Sequence, residues 1–157
     1  MSDVVIIMGS KGDLERAKKV AEALAKLGMS YDLRVASAHK SPAYLLQMLQ
    51  AYEQESVQRV YITIAGRSNA LSGFVDAAVS APVIACPPYS ETFAGADIIS
   101  SLRMPSGVAP AVVLEPEAAA LLAAKILGRR AAVNALQAEQ SALIVADDQA
   151  LQEERPR

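Results

Sequence analysis

One cysteine and one histidine stand among 157 residues, and tryptophan is absent. A lone cysteine excludes a disulfide within the chain. The two together exclude a zinc site built from several Cys or His ligands. Neither sign of charge dominates, with 15 Lys plus Arg against 17 Asp plus Glu and a formal net charge of -2. That balance does not favour nucleic acid, which usually requires a clustered basic surface. No apolar run approaches the roughly 20 residues of a membrane-spanning helix, and Met1 to Met8 lack the basic stretch that opens a signal peptide. The expectation is a soluble, cytoplasmic protein with no metal site and with neither nucleic acid nor membrane as partner.

What the chain does have is apolar sequence, 52% against 20% charged, in a length close to one ordinary domain. No internal repeat, low-complexity linker or second unit interrupts it, so residues 1–157 are expected to form a single domain. Five short apolar runs alternate with helix-like segments. Val4 to Met8 is a continuous run, the pattern of a strand buried on both faces. Leu14 to Leu27 has helical spacing, with Gly28 placed to end it. Strands are expected at Tyr31 to Ala36, Val57 to Ala65, Pro82 to Ala85 and Ala111 to Leu114. Helices are expected from Pro42 to about Tyr52, from about Ala70 to Val79, at Ala96 to Leu102, from Glu115 to Gly128 and from about Arg130 to Gln149. The charged tail, Glu153 to Arg157, is expected to fray. This alternation predicts an α/β three-layer sandwich, flavodoxin-like or Rossmann-like, with a five-stranded parallel sheet and an extra C-terminal helix.

Ligands in such folds bind beyond the carboxyl ends of the strands, which directs attention to three polar, small-residue loops. In the first, Gly9-Ser10-Lys11-Gly12-Asp13, backbone N–H groups and a hydroxyl at a helix start can hold phosphate. An ordinary tight turn capped by Ser10 or Asp13 explains the same residues. Asp13 could also accept both hydroxyls of a ribose. The second, Ser37-Ala38-His39-Lys40, holds the only histidine, the side chain suited to carry a proton near neutrality. Lys40 and Ser37 are anion-binding types, although Lys40 could be a solvated surface charge. The third, Gly66-Arg67-Ser68-Asn69 and on through Leu71 to Gly73, is too rich in glycine and polar residues for a plain connector. Gly66 lets a ligand approach the backbone; Arg67 could bind an anion or pair with a carboxylate across a subunit contact. Cys86 reads as a packing residue at the end of the fourth strand. Ser101 to Gly107 could be a lid or an interface.

The segments Met8-Gly9-Ser10-x-x-Asp13, Ser37-Ala38-His39-Lys40 and Ala65-Gly66-Arg67-Ser68-Asn69 occur in this order in the 5-aminoimidazole ribonucleotide carboxylases of purine biosynthesis. Cys86-Pro87-Pro88, Ser100 through Gly107, and Leu114-Glu115-Pro116 match as well. The resemblance covers about residues 3 to 128 and is to class II of the family. Class I, the mutases acting on the carboxyamino compound, carries Gly-Gly-Ala-Ala-His-Leu-Pro-Gly in the third loop. Here Arg67-Ser68-Asn69-Ala70-Leu71-Ser72-Gly73 is shorter and lacks the second His.

The resemblance implies carboxylation of carbon 4 of 5-aminoimidazole ribonucleotide by carbon dioxide, with no cofactor: neither ATP, biotin nor metal. It implies His39 as the catalytic base. Gly9, Ser10, Ser37, Ala38 and Lys40 are then the phosphate-side contacts and Asp13 the ribose contact. Gly66, Arg67, Ser68, Asn69 and Leu71 form the pocket for carbon dioxide and the base. It also implies a homo-oligomer, an octamer as in the family. The Ala-rich helix at 117–127 and the helix after it exceed what a five-stranded sandwich of this size needs for its own core. The mutase and a non-catalytic nucleotide-binding module remain as the alternative readings.

Overall fold

The structure, a computed structural model, describes Met1–Glu154. Five parallel strands, β1 (Val4–Met8), β2 (Tyr31–Val35), β3 (Val60–Ile64), β4 (Val83–Ala85) and β5 (Ala111–Val112), lie in the order β2-β1-β3-β4-β5. The helices are α1 (Leu14–Lys26), α2 (Pro42–Glu53), α3 (Leu71–Ala78), α4 (Ile99–Leu102), α5 (Pro116–Ile126) and α6 (Arg130–Glu153). This is the expected three-layer α/β sandwich, in the flavodoxin-like strand order.

Strand β1 is central, and all five of its residues are buried. Its alternation divides the core in two. Val4, Ile6 and Met8 face α1 and α5, packing with Val20, Leu24 and the alanines of α5. Val5 and Ile7 face α2 and α3, packing with Leu45, Leu49, Leu71 and Val75. Each fully buried aliphatic side chain contributes about 1.5–3 kcal/mol, so both faces of this strand are anchored. Val4 pairs in register with Tyr31 on one side and Val60 on the other, and Met8 with Val35 and Ile64. The chain moves from β1 out to β2, then returns past β1 to β3. The direction of winding therefore reverses at β1 and β3, where folds of this kind open a crevice beyond the strand ends.

Several boundaries differ from the sequence expectation. Strand β3 begins at Val60 rather than Val57. Before it, the Val57 N–H donates to the Glu55 carbonyl at 2.7 Å and the Arg59 guanidinium pairs with Glu55, a local turn that ladder pairing does not displace. Strand β5 is two residues long, although the Val113 N–H still donates to Ala85 at 2.9 Å. The expected helix at 96–102 is a 3₁₀ turn over Ala96–Ile98 running into the single turn of α4.

The Ala-rich helix is not surplus. Ala119, Ala120, Ala123 and Ala124 of α5 are wholly buried in this chain's own core, where their small size lets α5 lie close against α1 and the sheet. The surplus lies in α6, which continues to Glu153 rather than ending at Gln149. Val133 is its buried residue, with Ala132 and Leu136 against the core, and everything from residue 137 to 154 is exposed. Of the expected frayed tail, Glu153 closes α6, and residues 155–157 lie outside the described part.

Candidate functional site

All three loops singled out in the sequence rise from the carboxyl ends of β1, β2 and β3, and together they line one cavity of about 640 Å³. The β1 loop contributes Gly9, Ser10, Gly12 and Asp13, and the β2 loop Ser37, Ala38, His39 and Lys40. The third wall is Ala65, Gly66, Arg67, Ser68, Ala70 and Leu71. Gly12, Ala65, Ala70, Pro88 and Ser90 were not singled out as site residues. Pro88 could have been found, since it sits in a matched motif directly after β4; Ser90 carries no comparable signal.

The β1 loop is a short 3₁₀ turn, Lys11–Asp13, capped by Ser10, whose Oγ accepts the Gly12 N–H at 3.2 Å. The Ser10 hydroxyl also reaches the Asp13 carboxylate at 3.4 Å. The Gly9 N–H donates to the Ile64 carbonyl at 2.9 Å, which fixes the loop against the end of β3. A side chain on Gly9 would meet the Ala65 Cβ at 3.4 Å, an ordinary van der Waals contact, so the first loop lies directly beside the start of the third. Burial pushes the Asp13 carboxyl above its ordinary value, and the Ser10 hydrogen bonds and nearby Arg16 only partly offset it.

The β2 loop is locked by its own serines. Ser37 donates its backbone N–H to Ser41 Oγ at 3.0 Å, and its hydroxyl oxygen accepts the Lys40 N–H at 3.2 Å. Pro42 then starts α2. The result presents His39 and Lys40 as exposed side chains on the cavity rim. A serine whose oxygen already accepts one bond keeps its O–H free to donate to an anion.

In the third loop, Arg67 has φ +58, a left-handed conformation that costs a non-glycine residue on the order of 1–3 kcal/mol. A side chain on Gly66 would come within 3.0 Å of Pro88 Cγ, so the loop rests directly on the β4 loop. Asn69, alone among the residues expected in the pocket, does not line the cavity. It is 5% exposed, its Nδ2 donates to Ser101 Oγ at 2.9 Å and its Oδ1 accepts the Ser72 N–H at 3.2 Å. It caps the first turn of α3 and joins it to α4.

Below the rim, Arg16 of α1 donates its Nε to the Cys86 carbonyl at 3.2 Å and a terminal nitrogen to the Leu114 carbonyl. It thereby stitches the ends of β4 and β5 together. An arginine one turn into a helix gives no hint of that in sequence. Cys86 is fully buried and burial pushes its thiol up, which fits a packing role. Among the described residues, no group of three or more His, Cys, Asp and Glu is arranged to hold a metal ion.

A family model described as AIR carboxylase matches residues 3–145, almost all of the fold and every loop of the cavity. The chain belongs to the AIR carboxylase family. It is 62% identical over 122 residues to the phosphoribosylaminoimidazole carboxylase of Archaeoglobus fulgidus, covering 78% of this chain and 67% of that protein. To the protein of the same name from Treponema denticola it is 58% identical over 123 residues, covering 78% and 77%. A bifunctional phosphoribosylaminoimidazole carboxylase/phosphoribosylaminoimidazole succinocarboxamide synthetase of Homo sapiens is 41% identical over 125 residues, 80% of this chain but 29% of that longer protein. The crystal structure of PurE from Treponema denticola superposes with a TM-score of 0.94 at 49% identity, covering 97% of this chain and 98% of the other.

Proposed function

We propose that this chain is a phosphoribosylaminoimidazole carboxylase, adding carbon dioxide to carbon 4 of 5-aminoimidazole ribonucleotide in purine biosynthesis. The observation that carries the reading is the convergence of the phosphate-type loop at Ser10, the only histidine and the Gly66–Ser68 backbone on one cavity. That cavity is large enough for a mononucleotide. The Ser10 and Ser37 hydroxyls and Lys40 hold the phosphate, and the Asp13 carboxylate accepts the ribose hydroxyls. Gly9 and Ala38 let the ligand lie close to the backbone. The amino group of the imidazole makes carbon 4 nucleophilic. The new carbon–carbon bond forms there, and the proton on that carbon must then leave to restore the aromatic ring. His39 takes it. No electron passes to an outside acceptor, so the chemistry is redox-neutral. Carbon dioxide offers few handles, and the Gly66, Arg67 and Ser68 backbone with Leu71 supplies a small pocket to hold it beside the ring. Asn69 supports that pocket from behind.

The same reading makes the whole chain, residues 1–157, one carboxylase unit working in the cytoplasm as a homo-oligomer, an octamer. The relatives that carry the carboxylase name favour it over the mutase. Replacing His39 with Asn tests it. Asn keeps a polar edge but cannot accept and pass on a proton, so turnover should fall by about 10²–10⁴. Folding and ribonucleotide binding by calorimetry should stay near those of the unaltered chain. A His39→Asn protein that turns over normally would remove the assignment.

A further inference from the structure

We infer that Ser100 is a positioning residue for the reaction, acting through Asn69 and Arg67 to hold the third loop in its left-handed turn. The inference rests on the carboxylase reading above. Ser100 lies in α4, outside the cavity just described. Its Oγ accepts the Asn69 N–H at 3.0 Å and lies 3.0 Å from the Arg67 carbonyl and 2.8 Å from the Asp97 carbonyl. One hydroxyl therefore contacts the carbonyl of the strained residue and the amide two residues on, fixing the chain as it leaves Arg67. Its neighbour Ser101, 2% exposed, takes the Asn69 side chain at 2.9 Å. The Asn69 end of this clamp is withdrawn from water, fully at Ser101 and partly at Ser100, so a hydrogen bond lost there is poorly replaced by solvent, while the Arg67 carbonyl end is exposed.

The opposite side of the loop rests on Pro88 through Gly66. The loop is thus gripped from two directions, and only the Ser100 side depends on hydrogen bonds. Arg67 and Ala94 are the non-glycine residues with positive φ among those described, and Arg67 is the one that lines the cavity. A left-handed residue returns to the ordinary basin once its restraints are removed. That movement would turn the Gly66–Ser68 backbone away from carbon dioxide and leave the Ser10 and Lys40 side of the cavity as it was. The first two loops make their hydrogen bonds among themselves and with β3, not with α4.

The test uses the full-length protein with Ser100→Ala and Ser100→Thr, read by steady-state kinetics and by mass spectrometry of tryptic cleavage after Arg67. Ser100→Ala should lower kcat at least about tenfold, as loss of reactant alignment does. The KM for the ribonucleotide should stay within about twofold, and cleavage after Arg67 should be faster. Ser100→Thr, which keeps the hydroxyl, should restore both readouts. The inference is overturned if Ser100→Ala is cut after Arg67 at the unaltered rate, whatever its turnover. It is overturned equally if kcat falls only in proportion to unfolded protein. If the unaltered chain fails to carboxylate, the functional reading fails instead, and the cleavage comparison still decides whether Ser100 holds the loop.

Discussion

Burial pushes the Asp13 carboxyl up, against the pull of Ser10 and Arg16, and this sets binding against stability at one residue. A carboxyl whose folded value exceeds its unfolded value binds its proton more tightly in the folded state. The ionised form then subtracts stability at neutral pH, and the penalty disappears as pH falls through the raised value. Asp13→Asn should accordingly melt at a higher temperature than the unaltered chain at pH about 7, with the difference closing at pH about 3. It should also bind the ribonucleotide less well. A lower melting temperature at neutral pH would contradict the argument. Lys40→Ala should weaken ribonucleotide binding by roughly 1–3 kcal/mol, the range for a hydrogen bond to a charged group, with little change in melting. Unchanged affinity by calorimetry would take Lys40 out of the phosphate site. At this scale the sequence carried much of the cavity, because loops at strand ends collect small and polar residues for local reasons. Asn69 stands behind the cavity wall because its carboxamide turns inward to Ser101 and Ser72, a choice set by a segment about thirty residues further along the chain.

Among the elements, α5 shows how small residues set geometry. Four wholly buried alanines face α1 and the sheet, and they leave no room for growth. Ala123→Leu should destabilise the fold by about 1–3 kcal/mol or more through overpacking, measured by urea unfolding. A neutral result would mean the helix can shift outward freely. The entry into α6 is tied differently: Arg129 reaches Asp3 at 2.6 Å, and Asp3 also accepts from the Ser30 backbone and hydroxyl, each at 2.9 Å. Burial alone would raise the Asp3 carboxyl, but those bonds and Arg129 outweigh it and hold it low. Such a group stabilises at pH above its unfolded value and loses that contribution as pH falls through the folded one. Asp3→Asn should therefore weaken the fold at neutral pH and converge with the unaltered chain in acid. Periodicity gave the elements and their order correctly because β1 and β3 are buried on both faces and the helices are amphipathic or capped by Pro and Gly. It misplaced the start of β3, the extent of β5 and the end of α6. Those limits depend on the Glu55–Arg59 pair, on how far a neighbouring strand reaches, and on a helix with nothing beneath it.

Taken as a whole, the molecule leaves apolar residues uncovered in separate places. Tyr31, Leu33 and Val35 line one face of edge strand β2, while Leu143, Ile144, Val145 and Leu151 stand exposed on the free half of α6. A helical half-length without tertiary contacts is marginal in water, and cover from a neighbouring copy would stabilise it. Light scattering at micromolar concentration should give a homo-oligomer, and removing residues 141–157 should reduce its size. A stable monomer from the full chain would contradict this. An ultraviolet assay of the purified protein tests the reaction itself. One cuvette holds 5-aminoimidazole ribonucleotide with increasing bicarbonate, and a second holds the carboxyamino compound. The expected result is carboxylated product in the first, at a rate that rises with dissolved carbon dioxide. Efficient turnover of the carboxyamino compound, with none of the unmodified ribonucleotide even at high bicarbonate, would contradict it.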